Sequence, residues 1–300
     1  MTHPRPRGVI AATATPVHAD FSVDLPRLVA HCRALLDDGC DGINLLGTTG
    51  EATAFSVEQR LAVMRGVAES GLPLGRFLVG TGLPALEDTV LLTRTACELG
   101  FAGALVLPPF FYPDVPAAGL VGYVGALVER TAHPALALYL YHIPQNTKVA
   151  WPVAVVTELR QRHGATVAGL KDSAGDLAYA RSIVAAVADF DVFPSSEAVL
   201  ARAGAEGYAG CISATANLTS RHAQAAWAGQ GTPAGVAAGQ KAADLRGIVA
   251  KHPLVAAVKA GLAARYADPA WARICLPMLP LAAEAAARMQ AEFEARAAAT

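Results

Sequence analysis

Cysteine is sparse in this chain: five residues of 300, odd in number and scattered at Cys32, Cys40, Cys97, Cys211 and Cys275 with no CxxC spacing. That pattern excludes a disulfide framework or a thiolate zinc site, and suits reduced core residues of a cytoplasmic protein. An excess of charge of either sign is also missing. Twenty-four basic side chains face twenty-five acidic ones, for a formal net charge of −1, and no basic run or stripe occurs. A nucleic-acid or anionic-lipid partner is therefore not expected, and a small neutral or acidic metabolite is. No apolar run approaches the roughly 18 residues of a membrane helix, so no spanning segment is expected. The opening "MTHPRPRGVIAATATPV" places arginines before an apolar stretch, as a signal peptide does, but threonines interrupt it and Pro16 closes it. A first β-strand is the expected reading. The chain has no GxSxG elbow, no phosphate-binding Walker loop and no GxGxxG fingerprint.

What is present is apolar residues, 53 % of the chain, enough to bury a large single core. They fall into a repeating order. Strand-like runs at 8–15, 42–47, 76–82, 103–108, 135–141, 166–171, 189–194 and 208–213 alternate with helix-like ones. Ser56 with Gln59 three residues on has the spacing of a capping box, and Gly100 stops the helix before it. Further helices are predicted over 117–130, after Pro152, from Leu177, from Ala198 and around 218–228. Eight strand-then-helix units imply parallel strands and predict an α/β fold, a (β/α)8 TIM barrel over residues 1–230. A doubly wound open sheet is the competing arrangement. From about residue 234 the pattern changes to alanine-rich helices (235–249, 253–266, 279–298) without strands. Residues 231–300 are read as a C-terminal helical appendage that adds bulk to the barrel or packs on another subunit.

A barrel places its chemistry at the C-terminal ends of its strands. Those ends carry "GTTGE" (47–51), "PPFFYP" (108–113), Tyr141, Lys171, Ser195 with Ser196, and Ser213. Lysine is rare here, five against nineteen arginines, and only Lys171 falls on a predicted strand. By alternation it shares a face with Gly169 and Val167, assigned to the barrel interior, where Gly169 leaves space below it. Desolvation there favours the uncharged, nucleophilic amine. Taken alone, Lys171 better suits a side chain that snorkels to water or pairs with Asp172, and only its neighbours turn the balance towards a catalytic amine. In "GTTGE", Thr48 and Thr49 lie between Gly47 and Gly50, and successive amides of such a turn can form a concave carboxylate site, although a plain turn has the same composition. Tyr141 has a phenol able to relay a proton, or only to pack. His142 is the only histidine directly beside a strand end, too few ligands for a metal site. The ends "PSSEA" and "SATAN" lack the glycine-rich turn of a barrel phosphate site, which favours an unphosphorylated substrate.

The motifs "GTTGE", "YHIPQNT" and "GLKDSAGD", in that order and spacing, resemble the dihydrodipicolinate synthase and N-acetylneuraminate lyase family over most of the chain. The resemblance implies a class I, Schiff-base lyase acting on pyruvate or a related 2-keto acid, a homotetramer, with no metal or organic cofactor. It makes Lys171 the imine-forming amine and Tyr141 the proton relay. Thr48 and Thr49 become the hydroxyl pair, one in the relay and one on the keto-acid carboxylate, and Ser195, Ile212 and Ser213 line the same pocket. Asn146 stands where the synthase branch carries an arginine, which argues against synthase activity. Phe111 aligns with a second family tyrosine, and Tyr112 follows it. "YHIPQNT" with "GLKDSAGD" looks closer to aldolases that cleave 4-hydroxy-2-oxoglutarate or 2-keto-3-deoxy sugar acids. The alternatives are the synthase or a keto-deoxy acid dehydratase of the same family, and a non-catalytic keto-acid binding protein.

Overall fold

Eight parallel strands alternate with helices in the computed structural model, which describes residues 5–299; residues 1–4 of the span assigned to the barrel, and Thr300, lie outside the described residues. The strands are β1 (Gly8–Ala12), β2 (Gly42–Leu45), β3 (Phe77–Gly80), β4 (Gly103–Val106), β5 (Leu138–His142), β6 (Val167–Asp172), β7 (Asp191–Pro194) and β8 (Gly210–Ser213). Each pairs with its sequence neighbour from β1 to β7, and β8 pairs with β1. The Ala209 amide donates to the Val192 carbonyl at 2.9 Å, bridging the two end strands. Every residue of these strands is buried, as expected where helices cover a sheet's outer face and side chains fill its interior.

The helices are α1 (Leu25–Asp37), α2 (Val57–Glu69), α3 (Leu86–Leu99), α4 (Ala117–Thr131), α5 (Pro144–Thr147), α6 (Val153–His163), α7 (Leu177–Ala186), α8 (Ala216–Ala228), α9 (Pro233–Val249), α10 (Leu254–Arg265) and α11 (Ala283–Ala298). Local chemistry sets their starts. Asp24 accepts from the Arg27 amide ahead of α1, and Ser56 and Gln59 form the reciprocal capping box of α2. Two expectations change. The segment from Ala198 is a 3-10 helix, Glu197–Arg202. Gly204 and Gly207 follow at once, Gly207 at a φ of 77°, so the chain turns before an α-helix can propagate. The last helix begins at Ala283 rather than 279, because Pro280 disfavours helical backbone at the residue before it.

Three apolar clusters result. One lies between strands and outer helices, and a second fills the barrel with Ile10, Leu78, Leu105, Tyr139, Tyr141, Phe193 and Ile212. The third joins Leu245, Ile248, Val249, Val258, Leu262, Trp271 and Met289 of the C-terminal helices. Burial pushes the Cys32 thiol up to about 12, so it behaves as a small core hydrophobe. Among the described residues no single helix is long and apolar enough to cross a membrane.

Candidate active site

Lys171 and Tyr141 are lateral partners in the β5–β6 ladder, directly opposite each other at the C-terminal end of the barrel. The register sets this placement, with one irregularity. A shift between Leu138 and Tyr139 pairs Leu138 with Val167 but Tyr139 with Gly169. Strict alternation therefore fails below Gly169. Val167 packs in the outer cluster and Ala168 in the barrel interior, the reverse of the expected faces. The space left by Gly169 is not open either. A Cβ there would clash with the Asp191 carbonyl and the Tyr139 ring, so the glycine admits the tyrosine beneath Lys171.

The Lys171 side chain is buried, and its Nζ lies 4.3 Å from the centroid of the Tyr141 ring. The Tyr141 hydroxyl is 3.1 Å from Thr48 Oγ1. Burial opposes ionisation of this phenol, but the Lys171 charge and hydrogen bonds from Thr48, Ser173 and Lys171 outweigh it, and the pKa falls below its ordinary value of 10. A phenol so placed gives up its proton more readily than one in water.

The turn after β2 brings Thr48 and Thr49 to the same mouth. Its left-handed residues are Leu46 (φ 53°) and Glu51 (φ 56°), not the glycines. Gly47 and Gly50 are required by crowding: a Cβ on Gly47 would strike the Asn44 amide, and one on Gly50 would sit 3.0 Å from the Thr13 carbonyl and from Thr15 Oγ1. Within the turn the Glu51 amide donates to the Thr48 carbonyl at 3.1 Å. The amides of Thr48, Thr49 and Gly50 make no backbone hydrogen bond among the described residues, which leaves donors for an anion.

A cavity of about 870 Å³ opens over these groups, walled by Thr48, Thr49, Tyr141, Asn146, Lys171 and Ser195, with Ile212 among its apolar lining. Ser213 does not line it. Its hydroxyl is buried and shared with Thr215 (3.1 Å) and Arg246 (3.1 Å). Phe111 and Tyr112 are absent from the cavity as well. They are 79 % and 74 % exposed, stacked edge to face at 5.2 Å, with Phe111 at a φ of 92°. The loop after β4 carries both rings outward, and Phe110 enters a smaller cavity of about 280 Å³ on the other side of Tyr141. There Arg60 is buried, its Nη2 donating to the Gly80 carbonyl at 2.7 Å, and burial pushes its pKa down to about 10.

Among the lining residues to which the sequence reading gave no role are Ser173, Glu51 and Arg246. Ser173 carried a signal, two residues past Lys171 and so on the same side. Glu51 belongs to a quoted motif, yet nothing in that motif shows that its carboxylate is buried against Lys259 of α10 and accepts from the Cys275 amide at 2.6 Å. Arg246, on α9, carried none. Among the described residues no group of three or more His, Cys, Asp or Glu is placed to hold a metal ion.

A family model described as the dihydrodipicolinate synthetase family matches residues 5–296. The chain belongs to that family. It is an enzyme of the class I aldolase and lyase type, as the three motifs imply. It is 35 % identical over 291 residues to an uncharacterized DapA-like lyase of Chloroflexus aurantiacus, covering 96 % of each chain. The crystal structure of dihydrodipicolinate synthase from Agrobacterium tumefaciens superposes with a TM-score of 0.88 at 27 % identity, over 96 % of this chain and 98 % of that one. YagE of E. coli, a prophage protein of the dihydrodipicolinic acid synthase family solved in complex with pyruvate, shares the fold with a TM-score of 0.89 at 22 % identity, over 98 % and 99 %.

Proposed function

We propose that this member of the family is a cytoplasmic aldolase that cleaves, reversibly, an unphosphorylated hydroxylated 2-keto acid to pyruvate and an aldehyde. The observation that carries the reading is the buried Lys171 amine against the Tyr141 ring, with Thr48 on its phenol, at the mouth of one cavity. In this reading the Lys171 amine attacks the ketone carbon and water leaves, giving a protonated imine. The positive nitrogen draws the electrons of the carbon-carbon bond two atoms away. Tyr141, as the phenolate that its lowered pKa favours, takes the proton of the hydroxyl on the departing carbon, which leaves as an aldehyde. The phenol returns that proton to the carbon of the enamine that remains, and water then hydrolyses the imine to pyruvate, the free amine and a proton. Thr48 orients the phenol, while Thr49 and the free amides of the Gly47–Gly50 turn hold the keto-acid carboxylate. Ser195, Ile212 and Asn146 contact the remainder of the substrate. In this reading the catalytic barrel ends at residue 230 and its helical extension begins at residue 231.

Asn146 favours this reading over a synthase, since an amide in place of the synthase branch's arginine offers no charge to an incoming carboxylate. Incubation with pyruvate and borohydride, followed by peptide mass analysis, tests the imine. A reduced pyruvyl adduct on Lys171 is expected, with none in Lys171→Ala. Unmodified wild-type protein would sink the proposal, and pyruvate bound equally by both proteins without turnover would make the chain a binding protein. Release of pyruvate from a panel of 2-keto-3-deoxy acids, against its condensation with aspartate semialdehyde, separates the aldolase from the synthase.

A further inference from the structure

Arg246 reaches the cavity from outside the barrel. Its Nη1 is held by three acceptors: Thr215 Oγ1 at 2.9 Å, Ser213 Oγ at 3.1 Å and Glu197 Oε2 at 3.3 Å. Glu197 is fully buried and has its own donors, Thr215 Oγ1 at 2.6 Å and Thr219 Oγ1 at 2.9 Å. The guanidinium is thus fixed along one edge by a network from the loop after β7, the end of β8 and the start of α8. Its other edge, Nε and Nη2, makes no hydrogen bond among the described residues, although the side chain is only 24 % exposed and lines the cavity that holds Lys171. A planar fork with one edge anchored and the other free in a cavity matches the geometry of bidentate carboxylate binding.

We propose that Arg246 is the receptor for a second, distal carboxylate, so that the substrate is a hydroxylated 2-keto dicarboxylic acid and not a sugar acid with a polyol tail. The inference rests on the aldolase reading above. Thr49 and its turn lie after β2 and Lys171 on β6, whereas Arg246 sits over β7 and β8, so one end of the substrate is held at the turn and the other is left for the arginine. The location also complements Asn146: the charge missing beside Tyr141 is supplied from the β8 side. Arg60, a buried arginine nearby, lines only the smaller cavity that Lys171 does not reach.

Steady-state cleavage of 4-hydroxy-2-oxoglutarate and of 2-keto-3-deoxygluconate, in wild type, Arg246→Lys and Arg246→Gln, tests this, with borohydride trapping of pyruvate in each protein. Wild type is expected to favour the dicarboxylic acid by on the order of 100-fold in kcat/KM. Arg246→Gln should reduce that preference below about 10-fold, mostly through KM, while the adduct on Lys171 still forms. Arg246→Lys keeps a charge beside Glu197, and so reports on the lost fork even if the neutral variant fails to fold. A wild type that traps pyruvate but cleaves the gluconate equally well overturns the inference and leaves the aldolase standing, as does a preference unchanged in both variants. A wild type that traps no pyruvate overturns both.

Discussion

At the scale of single residues, the proposed chemistry depends on how Tyr141 is held. Its hydroxyl meets Thr48 at 3.1 Å and its ring lies under the Lys171 amine at 4.3 Å. In the proposed reaction the amine needs only to be accessible and close to a ketone to form an imine, but bond cleavage also needs a group that takes the hydroxyl proton, the role proposed for Tyr141. Tyr141→Phe keeps the ring and removes the acceptor. The expected result is a fall in kcat on the order of 100-fold or more while borohydride still traps pyruvate on Lys171. Wild-type kcat in that variant would show that another group moves the proton. Lys171 and Tyr141 were legible in the sequence because each is a polar group ending an apolar run. Arg246 was not, since it is one of nineteen arginines and only tertiary packing sets it apart.

At the scale of elements, α1, α8 and the end of α10 meet at a buried histidine. His31 Nε2 lies 2.8 Å from Asn217 Oδ1 and Nδ1 lies 2.8 Å from the Tyr266 hydroxyl. The Asn217 amide nitrogen donates to the Ala12 and Ala214 carbonyls, so its oxygen is the acceptor and His31 Nε2 carries the proton. Nδ1 then accepts from Tyr266. A second proton on the ring would force that last bond to reverse, with Nδ1 donating to the phenol oxygen. Burial, against the opposing pull of the Asn217 hydrogen bond, pushes His31 from 6.5 down to about 4. Between those two values the unfolded chain binds more protons than the folded one, so stability is complete above pH 6.5 and declines as pH falls towards 4. The loss reaches about 3 kcal/mol at most. Urea unfolding at pH 7 and pH 4.5 should show wild type losing about 2 kcal/mol more than His31→Gln; equal losses would remove His31 as the cause. The elements themselves were readable because β/α alternation is a strong local signal. The short helix Pro144–Thr147, the 3-10 turn after β7 and the register shift in β6 were not, because they depend on how neighbouring segments fit.

At the scale of the molecule, the C-terminal helices do more than add bulk. Lys259 of α10 and Glu51 of the turn after β2 form a buried ion pair, and Lys259 Nζ also donates to the Arg273 carbonyl at 2.7 Å. Burial lowers the Lys259 pKa although Glu51 pulls it upward. Removing either partner of such a pair leaves an uncompensated charge in the core, so the extension and the turn that presents Thr48 and Thr49 are held as one unit. Another loop at the same end of the barrel is left uncovered. Phe111 and Tyr112 project from the loop after β4 at 79 % and 74 % exposure, with Phe111 at a φ of 92° that non-glycine residues seldom adopt. Two adjacent aromatic rings held in water by strained backbone gain nothing within a single chain, and a contact between subunits would bury them. We propose the homotetramer that the family resemblance implies, with these rings at a subunit contact. Mass photometry should then give four times the 30.9 kDa of one chain, and the double change Phe111→Asp, Tyr112→Ala should shift the population to smaller species with unchanged far-ultraviolet circular dichroism. A wild type that is monomeric at micromolar concentration, or a variant of undiminished mass, would detach the loop from assembly and leave its strained backbone without a cause in subunit packing.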